Sequence, residues 1–426
     1  MKTTGAGLWR RNRKLAARLL RLCGKTPPIL PADSEERERL TAADAVVTHI
    51  EINDRHGVGV LLGRLFAGCG KLITIRSQDH FGGNQKLGDV RLKIEHGGAD
   101  RPRVFENVLA ALEGHTVARI LAVPYYADDA RNAVALQAIS GAPMCTYLMD
   151  DQNLWEVGIP DAWMAELLEA SRLRLAISPE MAAGYEAKYG LKFWWMPPVV
   201  EPDRILRRLE LPPLKSETPW GVIVGNIWGR HWFERLRGAV RGAGVQLYWY
   251  ARSHFQYFEA DPSALERDSI VVADEPLDDD ELIALLRRAP FAVVPTGTLE
   301  ASDDRRSIAA LSLPSRIPFI LATAHTPLLV LGSHETAAAR FVAESGTGLV
   351  CPYDREAFRQ AVARLLEPRR NAAMRRRAFE LAPLFSGEGA LDWIWRSLER
   401  GRPADDRFER LRAALEARPA GRQIEI

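Results

Sequence analysis

The chain has 426 residues, 47% hydrophobic and 26% charged, which excludes a low-complexity or disordered polymer and sets a length for two or three folded domains. Its 57 basic and 55 acidic residues leave a formal net charge of +2, too even for a general polyanion-binding field, so nucleic acid is not expected as a partner. No window is long and apolar enough to span a bilayer. The four cysteines, Cys23, Cys69, Cys145 and Cys351, are scattered singly without metal spacing and fit a reducing, cytoplasmic compartment.

Residues 1–40 read as a basic N-terminal helical extension. "GLWRRNRKLAARLLRLCG" has no continuous apolar segment before a cleavage site, so it is not a secretory signal. Its Leu8, Trp9, Leu15, Leu19, Leu20 and Leu22 are bordered by Arg and Lys. That pattern suits either peripheral contact with the inner face of a membrane or a helix docked on the protein body.

From residue 41 to 200, apolar runs alternate with helical periodicity. "AADAVVTHIEI" (42–52), "LITIRS" (72–77), "ARILAVPY" (118–125), "PMCTYLMDD" (143–151), "LRLAIS" (173–178) and a short "KFWWMPPVV" predict strands. The helices between them include "VFENVLAAL", "ARNAVALQAIS", "PDAWMAELLEAS" and "PEMAAGYEAKYG", the last closed by Gly190. Residues 201–219, rich in Pro and charge, read as a linker. Alternation then resumes over 220–385 with "WGVIVGN", a helix from about Trp232, "VQLYWYA", "SIVVAD", "FAVVPTG" and "TGLVCPYD". The acidic run opening "DDDELIALLRRA" fits a helix N-terminus favoured by its dipole, not a metal site. Residues 386–426 read as a terminal helix and tail. The fold class expected is α/β, with two doubly wound parallel-sheet domains whose ligands bind outside the carboxyl ends of the strands.

Four stretches resemble the GT-B-fold glycosyltransferases (group 1, or family 4-like), which use nucleotide-sugar donors. They are "HGVGVLLGRLF", "LAISPEMAAGYEAKYGLKFWWMPPVVEPD", "WGVIVGNIWGRHWFERL" and "SLPSRIPFILATAHTPLLVLG" with its continuation to "ARLL". The resemblance implies two Rossmann-like domains facing across a cleft: an acceptor domain at 41–200 and a donor nucleotide-sugar domain at 220–385. It also implies a closing helix in "LDWIWRSL" that crosses back to the first domain. Transfer to a hydroxyl of a glycan, polysaccharide or lipid-linked sugar would follow, in polysaccharide biosynthesis, with the nucleotide-sugar as substrate and no cofactor or metal. An alternative is a non-catalytic saccharide- or partner-binding member, and a nucleotide-sugar epimerase is another.

The resemblance assigns the donor diphosphate to Arg230 and Arg316, helped by Ser312, Ser315, Gly225 and Asn226. Paired guanidiniums and helix N–H groups neutralise a leaving diphosphate. In the other half Asp150, Asp151 and His56 are the candidate proton acceptors, with Asp79 and His80 of "SQDHFGGNQ" on the acceptor side. Gly57 and Gly59 would admit close backbone approach to substrate. Each Asp could instead be a cap, and each His a satisfied loop residue. One departure stands out. Phe319 occupies the place where family members carry the Glu that meets the nucleotide ribose.

Overall fold

A computed structural model describes residues 39–416, apart from Val157, Lys215, 252–257 and Asp274. The basic N-terminal extension and the last residues of the tail therefore lie outside the described residues. The chain divides into two compact units. The first comprises residues up to Trp194 together with Gly389–Asp405, and the second comprises Trp195–Glu388 and the chain from Asp406.

The first unit is built on a parallel sheet of β1 (Ala43–Thr48), β2 (Leu72–Arg76), β3 (Val90–Lys93), β4 (Val117–Ala122), β5 (Met144–Leu148), β6 (Leu173–Ala176) and the short β7 (Trp194–Trp195), at which the chain passes to the second unit. The strand order is β3-β2-β1-β4-β5-β6-β7, so the winding reverses between β1 and β4. β1 is buried along its whole length, as a strand covered on both faces must be. β3, at the sheet edge, alternates half-buried and exposed residues, and its pattern escapes a search for apolar runs. The crossovers carry α1 (Gly57–Leu65), α2 (Arg101–Ala111), α3 (Ala127–Ser140), α4 (Asp161–Ala170) and α5 (Pro179–Tyr189). Ser178 caps α5 by accepting Met181 N–H, and Gly190 closes it at φ 68°.

The second unit has a six-stranded parallel sheet in the order β10-β9-β8-β11-β12-β13. Its strands are β8 (Trp220–Val224), β9 (Gln246–Tyr250), β10 (Ile270–Val272), β11 (Ala292–Pro295), β12 (Leu328–Leu331) and β13 (Gly348–Cys351). The helices are α6 (Arg230–Val240), α7 (Pro262–Arg267), α8 (Asp279–Arg288), α9 (Arg306–Leu311), α10 (Arg316–Thr323), α11 (Ala337–Ser345), α12 (Arg355–Leu365) and α13 (Pro368–Leu381). The acidic run opens α8, where Asp278 and Glu281 form a reciprocal capping box. Within the expected linker, Leu206 packs on this unit: it is buried and its N–H bonds Ala322 O at 2.9 Å.

Two helices follow. α14 (Ala390–Arg400) belongs to the first unit, and α15 (Arg407–Glu416) to the second. α14 buries Trp393 and Trp395. The Trp395 ring lies 4.7 Å from the guanidinium of Arg119, which is itself paired through two 2.8 Å bonds with the buried Asp44.

A polar knot sits inside the second unit. Arg375 of α13 is fully buried and donates to Ala289 O (2.5 Å), Ala324 O (3.3 Å) and Asn371 Oδ1 (2.9 Å). Ala289 and Ala324 are the C-caps of α8 and α10, so the cation is balanced by two helix carboxyl ends. Next to it His325 is fully buried at φ 54°. Burial, then the Arg375 charge, lowers its imidazole to about 4.

Candidate functional site

In the first unit the residues that follow β1, β4 and β5 meet where the winding reverses. His49 follows β1, and its ring stacks on Tyr125, which follows β4, at a centroid distance of 3.9 Å. The Tyr125 hydroxyl donates to Asp150 Oδ2, past the end of β5, at 2.7 Å. Asp129, the third residue of α3, holds this corner by accepting the N–H groups of Tyr125 (2.9 Å) and Tyr126 (2.8 Å). Burial pushes its carboxyl up to about 6. His56 lies edge-on to His49 at 5.8 Å, and Phe81 stacks on His56 at 5.5 Å. Burial, then the neighbouring His56 and His80, holds His49 well below the usual imidazole range, so it is neutral at pH 7.

Glu51 organises the facing loop. It is fully buried and accepts the N–H groups of His80 (2.9 Å), Phe81 (3.0 Å) and Gly83 (2.6 Å). Burial alone would raise its carboxyl. The bonds from His80, Glu51 itself, Gly83 and Phe81 outweigh that and leave it below the ordinary glutamate value.

Among the expected acceptor-side residues, the structure joins Asp150, His56 and His80 to this cluster and sets others apart. Asp151 is buried one residue on. Its Oδ1 accepts Asn153 N–H and Leu154 N–H, its Oδ2 accepts Trp155 N–H and Glu156 N–H, and Tyr185 O–H adds a further donor. These bonds organise the β5–α4 loop. Both nitrogens of His56 are engaged, Nε2 with Glu51 O at 2.8 Å and Nδ1 with Gly59 N–H at 3.3 Å, which makes it the cap of α1. Asp79 is tied to Arg76 (2.7 Å) and Lys93 (3.1 Å). Gly57 is the exposed first residue of α1. The close approach at Gly59 is to the chain itself, because a Cβ there would run into the Asn53 carbonyl oxygen. His49, Glu51 and Tyr125 were missed from sequence. Their only signal was position, at the carboxyl end of a predicted strand.

In the second unit the β8–α6 turn lies where that sheet reverses. Gly225 takes φ 77°, a conformation that favours glycine. Three successive carbonyls of the turn face inward. Arg316 donates to Val224 O and Asn226 O, both at 2.7 Å, and the Trp249 indole donates to Gly225 O at 2.8 Å. Arg316, expected as a diphosphate ligand, thus also braces the turn from the start of α10. Ser315 is the N-cap of α10 without a side-chain cap bond, and Ser312 is buried one turn earlier. Arg230 opens α6 with an exposed side chain, and its N–H bonds Asp304 Oδ2 at 2.8 Å. Asp303, also missed from sequence, accepts the Trp232 indole (2.6 Å) and Thr298 N–H (2.6 Å), which fixes the loop after β11. Phe319 is packed in the core of this unit.

Among the described residues no group of three or more His, Cys, Asp or Glu is placed to hold a metal ion, and no helix is long and apolar enough to cross a membrane. No family model and no curated relative matches the chain. Solved structures do. WaaG, a glycosyltransferase involved in lipopolysaccharide biosynthesis, matches 82% of this chain and 98% of its own at 14% identity, with a TM-score of 0.54. HepE from Anabaena, solved in complex with UDP, matches 84% and 100% at 12% identity and 0.56. A UDP-forming α,α-trehalose-phosphate synthase from Burkholderia vietnamiensis matches 85% and 100% at 13% identity and 0.56. Two parallel sheets, each reversing beside its first strand, and these likenesses over most of the chain lead to one conclusion: the protein has the GT-B fold.

Proposed function

We propose that the protein is a glycosyltransferase that moves a sugar from a nucleoside-diphosphate donor to a hydroxyl of a saccharide or lipid-linked saccharide. The observation that carries this reading is the Asp150–Tyr125–His49 assembly at the reversal point of the first sheet. A carboxylate there, steadied by a phenol, is a proton acceptor of the kind a sugar hydroxyl needs. The acceptor oxygen bonds the anomeric carbon as its proton passes to Asp150. The bond from that carbon to the diphosphate breaks, and its electron pair leaves with the diphosphate. In the second unit Arg230, Ser312, Ser315 and the Gly225–Asn226 turn receive that charge, without a metal, and Arg316 keeps the turn in shape. The inward carbonyls of residues 224–226 remove the groups that would repel a phosphate there. HepE is solved with UDP, which makes UDP the first nucleotide to try.

A thermal-shift screen with UDP, GDP, ADP and TDP, without added metal, tests this. One nucleotide raises the melting temperature, and Arg230→Ala shrinks the rise. Asp150→Asn keeps the rise but lowers transfer by about 10²–10⁴-fold. If no nucleotide binds, the donor site is absent. The core position of Phe319 favours a second reading in that case, a member that binds a saccharide without turning it over.

A further inference from the structure

Two loops flank the reversal point of the second sheet, the β8–α6 turn and the loop after β11. The second of these is fixed by Asp303 and Glu300. Asp303 is buried. Its Oδ1 accepts the Trp232 indole (2.6 Å) and Arg305 N–H (3.2 Å), and its Oδ2 accepts Thr298 N–H (2.6 Å) and Leu299 N–H (3.2 Å). Glu300 pairs with Arg235 of α6 at 2.6 Å. Asp304 takes no part in that framework. Its Oδ2 accepts Arg230 N–H, the first of α6, at 2.8 Å, and its Oδ1 lies 3.9 Å from His231 Nδ1. Its side chain is 33% exposed. Gly229, the N-cap of α6, is shaped around this carboxylate. Its φ of −128° is open to any residue, yet a Cβ there would overlap Asp304 Oδ1, so glycine is needed for space. A helix is commonly capped by its own Ser, Thr, Asp or Asn. α6 instead takes its cap from a residue 74 positions after Arg230.

The chain thus places a carboxylate of its own on the turn through which the second unit would receive a diphosphate. Like charges oppose each other, and the more negative ligand is opposed more strongly. The two nucleotides of a transfer reaction differ in this respect. A free nucleoside diphosphate ends in a phosphate monoester, and such a group loses its second proton near pH 6. In the donor the same oxygen is esterified to the sugar, so at pH 7 the product carries about one more negative charge than the donor. We propose that Asp304 is a specificity-determining residue that weakens the binding of the free nucleoside diphosphate more than that of the nucleoside-diphosphate sugar, an inference that rests on the glycosyl-transfer reading above. The consequence is that spent nucleotide leaves and fresh donor enters, and product release limits turnover in many enzymes. Arg230 attracts both ligands through its exposed side chain, while Asp304, on the same residue's N–H, sorts them by charge.

Calorimetric titration of the full chain with UDP, GDP, ADP and TDP, each against its glucose conjugate, tests this in wild type, Asp304→Asn and Asp304→Ala. Asparagine keeps an oxygen for Arg230 N–H, so the ligand-free melting temperature of that variant stays within about 4 °C of wild type. For the nucleotide that binds, both variants tighten the free diphosphate by about tenfold and its glucose conjugate by about threefold or less at low salt. Raising the salt from about 0.05 M to about 1 M narrows the gain, because screening removes a repulsion and leaves a shape effect in place. Equal tightening of diphosphate and conjugate overturns the assignment, as does no tightening or a gain that salt does not move. Weaker nucleotide binding in Asp304→Asn overturns it too, by making the carboxylate part of what holds the ligand. Each of these results leaves the transfer reading standing. Absence of nucleotide binding in all three proteins overturns the transfer reading, and the role of Asp304 with it.

Discussion

Replacing Glu51 with alanine is expected to lower the melting temperature of the first unit by about 6–20 °C and to abolish the acceptor-side function proposed for it. Glu51 is fully buried, and its carboxylate is the sole partner recorded for the N–H groups of His80, Phe81 and Gly83 among the described residues. Hydrogen bonds to a charged group contribute about 1.5–3 kcal/mol each, and a buried donor left without a partner costs about 1–3 kcal/mol. Water entering the cavity recovers part of that sum, so a net loss of about 3–5 kcal/mol is expected. For a unit of this size each kcal/mol shifts the transition by about 2–4 °C. Glu51→Gln keeps an acceptor oxygen and should lose less. The pH dependence separates the two causes. Because the folded carboxyl lies below its unfolded value, its charge contributes stability above the unfolded value, near 4.3. That contribution is lost as pH falls through the folded one. The gap between wild type and Glu51→Gln should therefore narrow in acid, which calorimetry from pH 3 to 7 would show. A gap that stays constant would mean that the loop is held by packing and not by the carboxylate.

Arg375→Met is expected to be the most damaging change in the second unit. Buried ion pairs can often be replaced by apolar residues without loss, because both charges disappear together. Arg375 is different, since its partners are the carbonyls of Ala289 and Ala324 and the Asn371 side chain. Methionine removes the cation and leaves the carbonyl ends of α8 and α10 buried without donors. Two such acceptors and the Asn371 amide oxygen left without its donor cost about 3–5 kcal/mol, or about 6–20 °C in the melting of this unit. The variant also removes the positive charge beside His325. In the wild type that imidazole binds protons more weakly folded than unfolded, so stability falls as pH drops from about 6.5 to about 4. In Arg375→Met the acid loss should be smaller. Denaturant unfolding at pH 7 and pH 5 reads both effects.

Much of the fold was legible because parallel strands covered on both faces are apolar throughout. The runs at 43–48, 144–148 and 328–331 needed no tertiary information. β3 and α13 were not legible for the opposite reason. β3 is an edge strand with two exposed positions in four, and α13 carries five arginines, one of which points inward to a knot no pattern announces. The site divided in the same way. Asp150 and Asp151 are adjacent and chemically identical, and only the fold decides that one meets a phenol while the other gathers four backbone N–H groups. His49 and Tyr125 are 76 residues apart and stack because β1 and β4 are neighbours, a fact that belongs to topology. Arg316 was placed correctly at a helix start. What its guanidinium grips depended on where the Gly225 turn arrived.

The return of α14 to the first unit has a consequence for how the protein is made. Trp393 and Trp395 belong to that unit's interior, yet they are encoded after nearly all of the second. At a ribosomal pace of about 5–20 residues per second, the wait between Trp194 and Gly389 lasts roughly 10–40 s. During that interval the emerging first unit keeps open the apolar seat beside Phe66 and Arg119 that Trp395 will fill. The second unit, although later in the message, needs only residues still to come from α15 when α14 arrives. The order of synthesis and the order of completion are thus uncoupled, and a nascent chain stalled before residue 389 would present an unfinished surface to chaperones.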